Sequence, residues 1–206
     1  MTLVEVCNIL DLNNIFCERN GNIIQEEHGI NEDYYELRNL QNKGYIYYCI
    51  REKNTEDIKI FEADIEDINK KFLLILLAKN ELKHSREMRN ELIRKAENIN
   101  TIVNLKKQIE KYNITSKFLI GEDKNVTVNV VVKGNKYLLI VNKDRITVYS
   151  EMVETFLKLK IRLLFLLLKN DYIKKVVDKG YYEGYTLQLE VRDYEYFFHC
   201  LELNNL

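Results

Sequence analysis

Two stretches of the chain are apolar at every position: Phe72 to Ala78 and Leu163 to Leu168. A helix that is apolar all round has to be covered on every side. Neither stretch approaches the roughly 20 residues of a membrane span, so both are expected at the centre of a folded core, with no membrane partner. The chain of 206 residues is long enough to supply that cover, and its 46% apolar and 31% charged residues exclude disordered and fibrous classes. Met1 to Glu5 carries no basic run, so no secretory signal is expected.

Each apolar stretch closes the same order of elements. Tyr45 to Arg51 (YIYYCIR) reads as a strand, Glu52 to Asp57 as a turn and Ile58 to Phe61 as a second strand. Asp64 then caps a helix carrying Ile65, Ile68, Phe72, Ile75 and Leu76 as far as Lys79-Asn80. About ninety residues on, Tyr137 to Val141, a turn at Asn142 to Arg145, and Ile146 to Tyr149 repeat the pattern. Ser150 is expected as the cap of a helix with Met152, Val153, Phe156, Leu157, Leu163 and Leu164, ending at Lys169-Asn170. Two strand–turn–strand–helix units, about 43–80 and 126–170, therefore pseudo-repeat. A two-stranded ribbon is marginal alone and must bury a face on its helix. No Gly/Ser-rich linker separates the units, so one fused domain over 1–206 is expected.

Outside the repeat, Thr2-Leu3-Val4-Glu5 has capping-box form ahead of a short helix. Asn20-Gly21 between Ile15-Phe16-Cys17 and Ile23-Ile24 is a strong hairpin signal. Glu81 to Tyr112 is charged and helical, as one helix or as two with a break near Asn100, with a stripe of Met88, Leu92, Ala96, Ile99 and Val103. Val126 to Lys133 is a strand turned by Gly134-Asn135. Tyr185 to Arg192 alternates and, through a turn at Asp193, predicts a closing hairpin with Tyr196 to Leu203. The class is α+β, with antiparallel sheet, a long charged helical segment and a C-terminal hairpin.

The chemistry-bearing residues form no catalytic pattern. Four cysteines without C-x-x-C spacing suit free, mostly buried thiols in a reducing cytoplasm. His28, His84 and His199 lack paired ligands at short spacing, and His199-Cys200 in a strand would point to opposite faces, so no metal is expected. Ser85, Ser116 and Ser150 lie in no nucleophile elbow, and Gly121, Gly180 and Gly184 build no phosphate loop, so neither an enzyme nor a cofactor is expected. Net charge is −1, unevenly spread: −6 over 1–42, +3 over 81–125, +6 over 126–180 and −4 over 181–206. The basic middle is interleaved with acids at helical spacing, which reads as a solvated face, and nucleic acid is not an expected partner. Three Ala, seven Gly and no Pro, with abundant Asn, Lys and Ile, mark an AT-rich gene of low-GC bacterial or mobile-element origin.

The acidic ends also hold the tyrosine clusters. Glu32, Asp33, Tyr34 and Tyr35 form one; Tyr181, Tyr182, Glu183 and Tyr185, with Tyr194 and Glu195, form the other. Tyrosine supplies rigid contact area, and surrounding acids steer a basic partner, so these residues are the candidate partner-binding site. With that acidic, Tyr-rich surface the chain resembles immunity proteins of bacterial polymorphic-toxin and contact-dependent inhibition systems. The Gly44-Tyr45 strand, the turn, the Ile58 to Phe61 strand and the acidic helix start are loosely similar to those that neutralise NAD-glycohydrolase toxins. The resemblance implies a stoichiometric inhibitor, monomeric or a weak homodimer, that blocks the active site of a cognate toxin domain. The alternative is a phage or mobile-element regulatory or scaffolding protein that self-associates through the 81–112 segment.

Overall fold

The computed structural model describes residues 1–30, 32–51, 56–112, 114–182 and 187–199. The chain is α+β, with six helices and two sheets among the described residues, and divides into two compact units, Met1–Asn80 and Glu81–Leu206.

The first unit opens with α1 (Leu3–Leu12). The Thr2 hydroxyl accepts from the Glu5 amide while the Glu5 carboxylate accepts from the Thr2 amide, the reciprocal cap that the sequence predicts. Five strands follow as an antiparallel meander in chain order: β1 (Cys17–Asn20), β2 (Ile23–Glu26), β3 (Tyr34–Leu40), β4 (Lys43–Ile50) and β5 (Glu56–Asp64). Gly21, at φ +60°, makes the first hairpin's two-residue turn. The long helix α2 (Ile65–His84) leaves β5 directly, and its Phe72–Ala78 stretch is buried throughout. Asn69 donates to the Met1 carbonyl and Asn80 to that of Asn13, so α2 touches both ends of α1 and the two helices run side by side in one direction.

Alternation assigns the two sheet faces. Tyr35, Leu37 and Asn39 on β3 oppose Tyr48, Ile46 and Gly44 on β4 and face α2. There Asn39 donates to Asn69 at 2.9 Å. A Cβ on Gly44 would lie 2.0 Å from Ile68 Cγ2 and 2.5 Å from Asn39 Oδ1, so only glycine lets strand and helix approach this closely. Tyr34, Glu36 and Arg38, with Cys49, Tyr47 and Tyr45 opposite, point the other way. β5 is an edge strand, mostly exposed, with a bulge where the pairing steps from Ile46–Phe61 to Tyr47–Lys59.

The second unit begins with the last turn of α2 and two short helices, α3 (Arg86–Lys95) and α4 (Ile102–Ile109). The 81–112 segment is thus broken, and Thr101 caps α4 by accepting from the Asn104 amide. Leu92, Ala96, Leu105 and Ile109 are buried, so much of the segment's apolar face is used within the chain. The break is closed by Lys160, whose buried ammonium donates to the carbonyls of Ala96, Glu97 and Ile99 at 2.9–3.3 Å. The Ala96 carbonyl also accepts from the Ile99 amide at 3.0 Å, and a lysine near a helix C-terminus both satisfies such end carbonyls and answers the macrodipole.

The second sheet runs β6 (Phe118–Ile120), β7 (Val128–Lys133), β8 (Lys136–Lys143), β9 (Ile146–Val153), parallel between β6 and β7 and antiparallel after that. It is a separate, mixed sheet where antiparallel sheet alone was expected. Ser150 is not a helix cap. It pairs with Ile140, and β9 continues through Met152 to Val153 because Tyr149, Glu151 and Val153 keep the period-two pattern of one face. Thr155 takes the capping role, accepting from the Lys158 amide at 3.2 Å, and α5 (Phe156–Tyr182) follows. This helix outruns the expected end at Asn170 because Ile173 and Val176 extend its buried side.

The C-terminal hairpin is also corrected. Residues 187–190 form no strand and α6 (Val191–His199) follows them. Asp193 accepts from the Glu190 amide at 2.8 Å, and Phe197 and Phe198 are buried, a helical pattern that outweighs the alternation before it. His199 therefore ends a helix rather than sitting in a strand, and Cys200 lies outside the described residues.

Candidate functional site

The chemistry of the first unit gathers on the sheet face turned away from α2. Arg38, from β3, forms an ion pair with Glu36, donates to Asp57 at 2.9 Å and stacks its guanidinium 4.1 Å from the centre of the Tyr47 ring. Arg51, just past β4, donates to Asp57 at 2.9 Å and to the Tyr34 hydroxyl at 3.0 Å. On β5, Lys59 lies 5.5 Å from the Tyr45 ring centre, and Glu62 accepts from both Lys59 and Lys43. Aromatic rings and cations therefore interleave across three strands, with each cation answered by a carboxylate.

The electrostatics follow from these pairs. Hydrogen bonds from Arg51, and then from Arg38, hold the Asp57 carboxyl below its ordinary range. Lys43 and Lys59 do the same for Glu62. Cys49 sits between Tyr34 and Asp57 in register, fully buried, and burial next to Asp57 and Glu36 pushes its thiol up to about 11. Cys17 is pushed up to about 12 by burial and by Glu26. Both stay protonated at neutral pH, the opposite of an activated nucleophile.

The predicted partner-binding residues fall differently. Tyr34 and Tyr35 are successive in β3 and so point to opposite faces. Tyr34, 6% exposed, lies under His28, whose ring stacks at 3.8 Å and 1°, and under Arg51. Tyr35, 4% exposed, faces α2, with its ring 5.1 Å from that of Tyr48 and 5.7 Å from the Lys79 ammonium. Neither offers an open ring. Asp33 is occupied structurally, accepting from the Tyr48 hydroxyl and the Arg51 amide, whereas Glu32 is exposed and accepts only locally, from Gly29. In the second unit Tyr194 is half-buried under the Lys143 ammonium and Glu195 is exposed. Tyr181 and Tyr182 close α5 but their side chains, like Glu183 and Tyr185, lie outside the described residues.

The residues that do make an open aromatic and charged face, Arg38, Tyr45, Tyr47 and Lys59, were not singled out from the sequence. Their signal was period two: Tyr34, Glu36 and Arg38 in one strand, Tyr45 and Tyr47 in the next. Among the described residues no group of three or more His, Cys, Asp or Glu is placed to hold a metal ion, and no helix is long and apolar enough to cross a membrane. Comparison with protein-family models, with curated proteins and with solved structures finds no match to this chain.

Proposed function

We propose that this protein is an immunity-type inhibitor that binds a cognate bacterial toxin domain and blocks its active site, with the outer face of the first sheet as the contact surface. The observation that carries this reading is the half-exposed Tyr45–Tyr47 pair, fixed in place by Lys59 and Arg38. Tyrosine and arginine are the residue types that dominate binding hot spots. Side chains already pinned by cross-strand contacts lose little rotamer freedom on docking, which favours tight association. Lys43, Arg38, Arg51 and Lys59 are matched by Glu36, Asp57, Glu62 and Asp64, so the face has pattern without net charge. Such a face suits a shaped protein surface better than a polyanion, whose affinity rests on an uncompensated positive field.

Co-expression with the toxic domain encoded beside this gene tests the reading. Growth should be rescued, and the two proteins should co-elute at one to one. Tyr47→Ala and Arg38→Ala should each weaken the complex by about thirtyfold, a hot-spot loss of roughly 2 kcal/mol. Continued cell death without a complex would remove the immunity reading. Full rescue and unchanged affinity in a folded double variant would move the interface elsewhere.

A further inference from the structure

Within the second unit α5, β8, β9 and α6 line a cavity of about 340 Å³, remote in purpose from the sheet face just described. That volume is at the small end of ligand pockets. The α5 wall has two rows. Asn170, Lys174 and Asp178 recur every four residues as a polar edge, and Ile173 and Val177 run beside them as an apolar one. Val141, Val148 and Phe198 continue the apolar side from the other elements.

The charges at the rim are of both signs. On the same helix Lys175 pairs with Asp171, the acid lying N-terminal to the base, which is the favoured orientation. Lys174 and Asp178 have the reverse order; both are exposed, and neither makes an ion pair among the described residues. Lys143 is answered by Asp144 at 3.3 Å and by the Tyr194 ring. Burial, and the nearby Asp144, Asp178 and Asp193 carboxylates, raise the Tyr194 hydroxyl's pKa, so it stays a neutral phenol whose oxygen can accept, and the carboxylates mark that end of the cavity as negative. Lys174, one turn before Asp178 on the same row, sets a positive charge beside that negative end. A phosphate-bearing ligand would meet the carboxylates, and a wholly apolar one would leave the charged row unused.

We propose that this cavity binds a free amino acid with a large apolar side chain, its ammonium at Asp178 and Tyr194, its carboxylate at Lys174 and its side chain against Ile173, Val177 and Phe198. The inference stands independently of the toxin reading. Isothermal titration calorimetry of the whole chain against L-leucine and L-phenylalanine tests it, with isocaproate and hydrocinnamate lacking the ammonium and isoamylamine and phenethylamine lacking the carboxylate as the respective controls. At least one amino acid should bind, and the matching single-charge analogue should bind at least tenfold more weakly. Lys174→Ala and Asp178→Asn should each weaken binding by a similar factor while leaving the thermal midpoint of the free protein unchanged. No heat from either amino acid up to about 10 mM, a weaker limit than any specific site would set, overturns the proposal. So does a single-charge analogue binding as tightly as its parent amino acid, or affinity unchanged in both variants.

Discussion

The hairpin β4–β5 with α2 and the hairpin β8–β9 with α5 share an order of elements and use it in opposite ways. In the first, β5 is left as a bare edge and the face away from the helix carries the ordered charges and rings. In the second, α6 packs along β9, and the exposed Lys174 and Asp178 stand on the rim of a cavity beside α5. A repeated strand–turn–strand–helix pattern therefore fixes how a core is built but leaves open which surface becomes useful. What differs lies within each unit: β5 ends its own sheet as an edge strand, whereas α6 returns to pack along β9.

Substitutions at matching places should make that contrast measurable. Gly44→Ala should have the largest effect, about 3 kcal/mol or more in urea unfolding, because the new Cβ collides with Ile68 and Asn39. Combining it with Ile68→Ala should recover part of the loss. Gly134, at φ +58° in the β7–β8 turn just ahead of the second hairpin, has open space around it, so its alanine variant should cost only the backbone strain of about 1 kcal/mol. Equal losses at the two glycines would break the comparison.

Lys160→Met should follow at about 2 kcal/mol, since the Glu97 and Ile99 carbonyls lose the ammonium and Ala96 keeps only the Ile99 amide. Hydrogen exchange localised to α3 and the 96–101 turn would separate this from a global effect. Next come two acids of opposite behaviour. Glu81 is 1% exposed, and desolvation raises its pKa above the ordinary value despite Ser85, Arg89 and Lys169. An acid with a raised folded-state pKa loses stability as pH rises through that value. Glu81→Gln should accordingly gain about 1 kcal/mol at pH 7, with the advantage disappearing near pH 4. Asp57, held down by Arg51 and Arg38, contributes stability that is present above its unfolded value and lost as pH falls through its folded one. Asp57→Asn should therefore lose well under 1 kcal/mol at neutral pH, because the site is partly exposed, and match the parent in acid. Urea midpoints at the two pH values give both signs. The smallest effect is expected at the β8–β9 turn, where Arg145 is left-handed at φ +67° and bonds Asn125. Arg145→Gly should gain a few tenths of a kcal/mol, strain relief offsetting the lost contact.

Local chemistry was the legible part of the sequence. The Thr2–Glu5 cap, the Asn20-Gly21 hairpin and both apolar helices are written in residues that touch near neighbours. The misreadings arise where two periods compete. Ser150 is a good cap and also an ordinary outward strand residue, and the register with Ile140 decides for the strand. Tyr185 to Arg192 alternates like a strand, yet Asp193, Phe197 and Phe198 gain more from a helical face. Tyr34 and Tyr35 look like one exposed patch because they are adjacent, and a strand separates adjacent residues by its own geometry. The outer-face array was readable at period two. The cavity was not, because Val141, Ile173 and Tyr194 meet only through tertiary packing.

The exposed margin formed by β5 has a consequence for behaviour in concentrated solution. Two copies laid antiparallel about Ile60 would bring Glu56 against Asp64 twice, like charge facing like charge across the new ladder. The bulge facing Ile46–Tyr47 bends the same strand away from flatness. Together they disfavour a two-fold pairing of β5 with its own copy, while a foreign strand bearing lysines at those two places would meet no such repulsion.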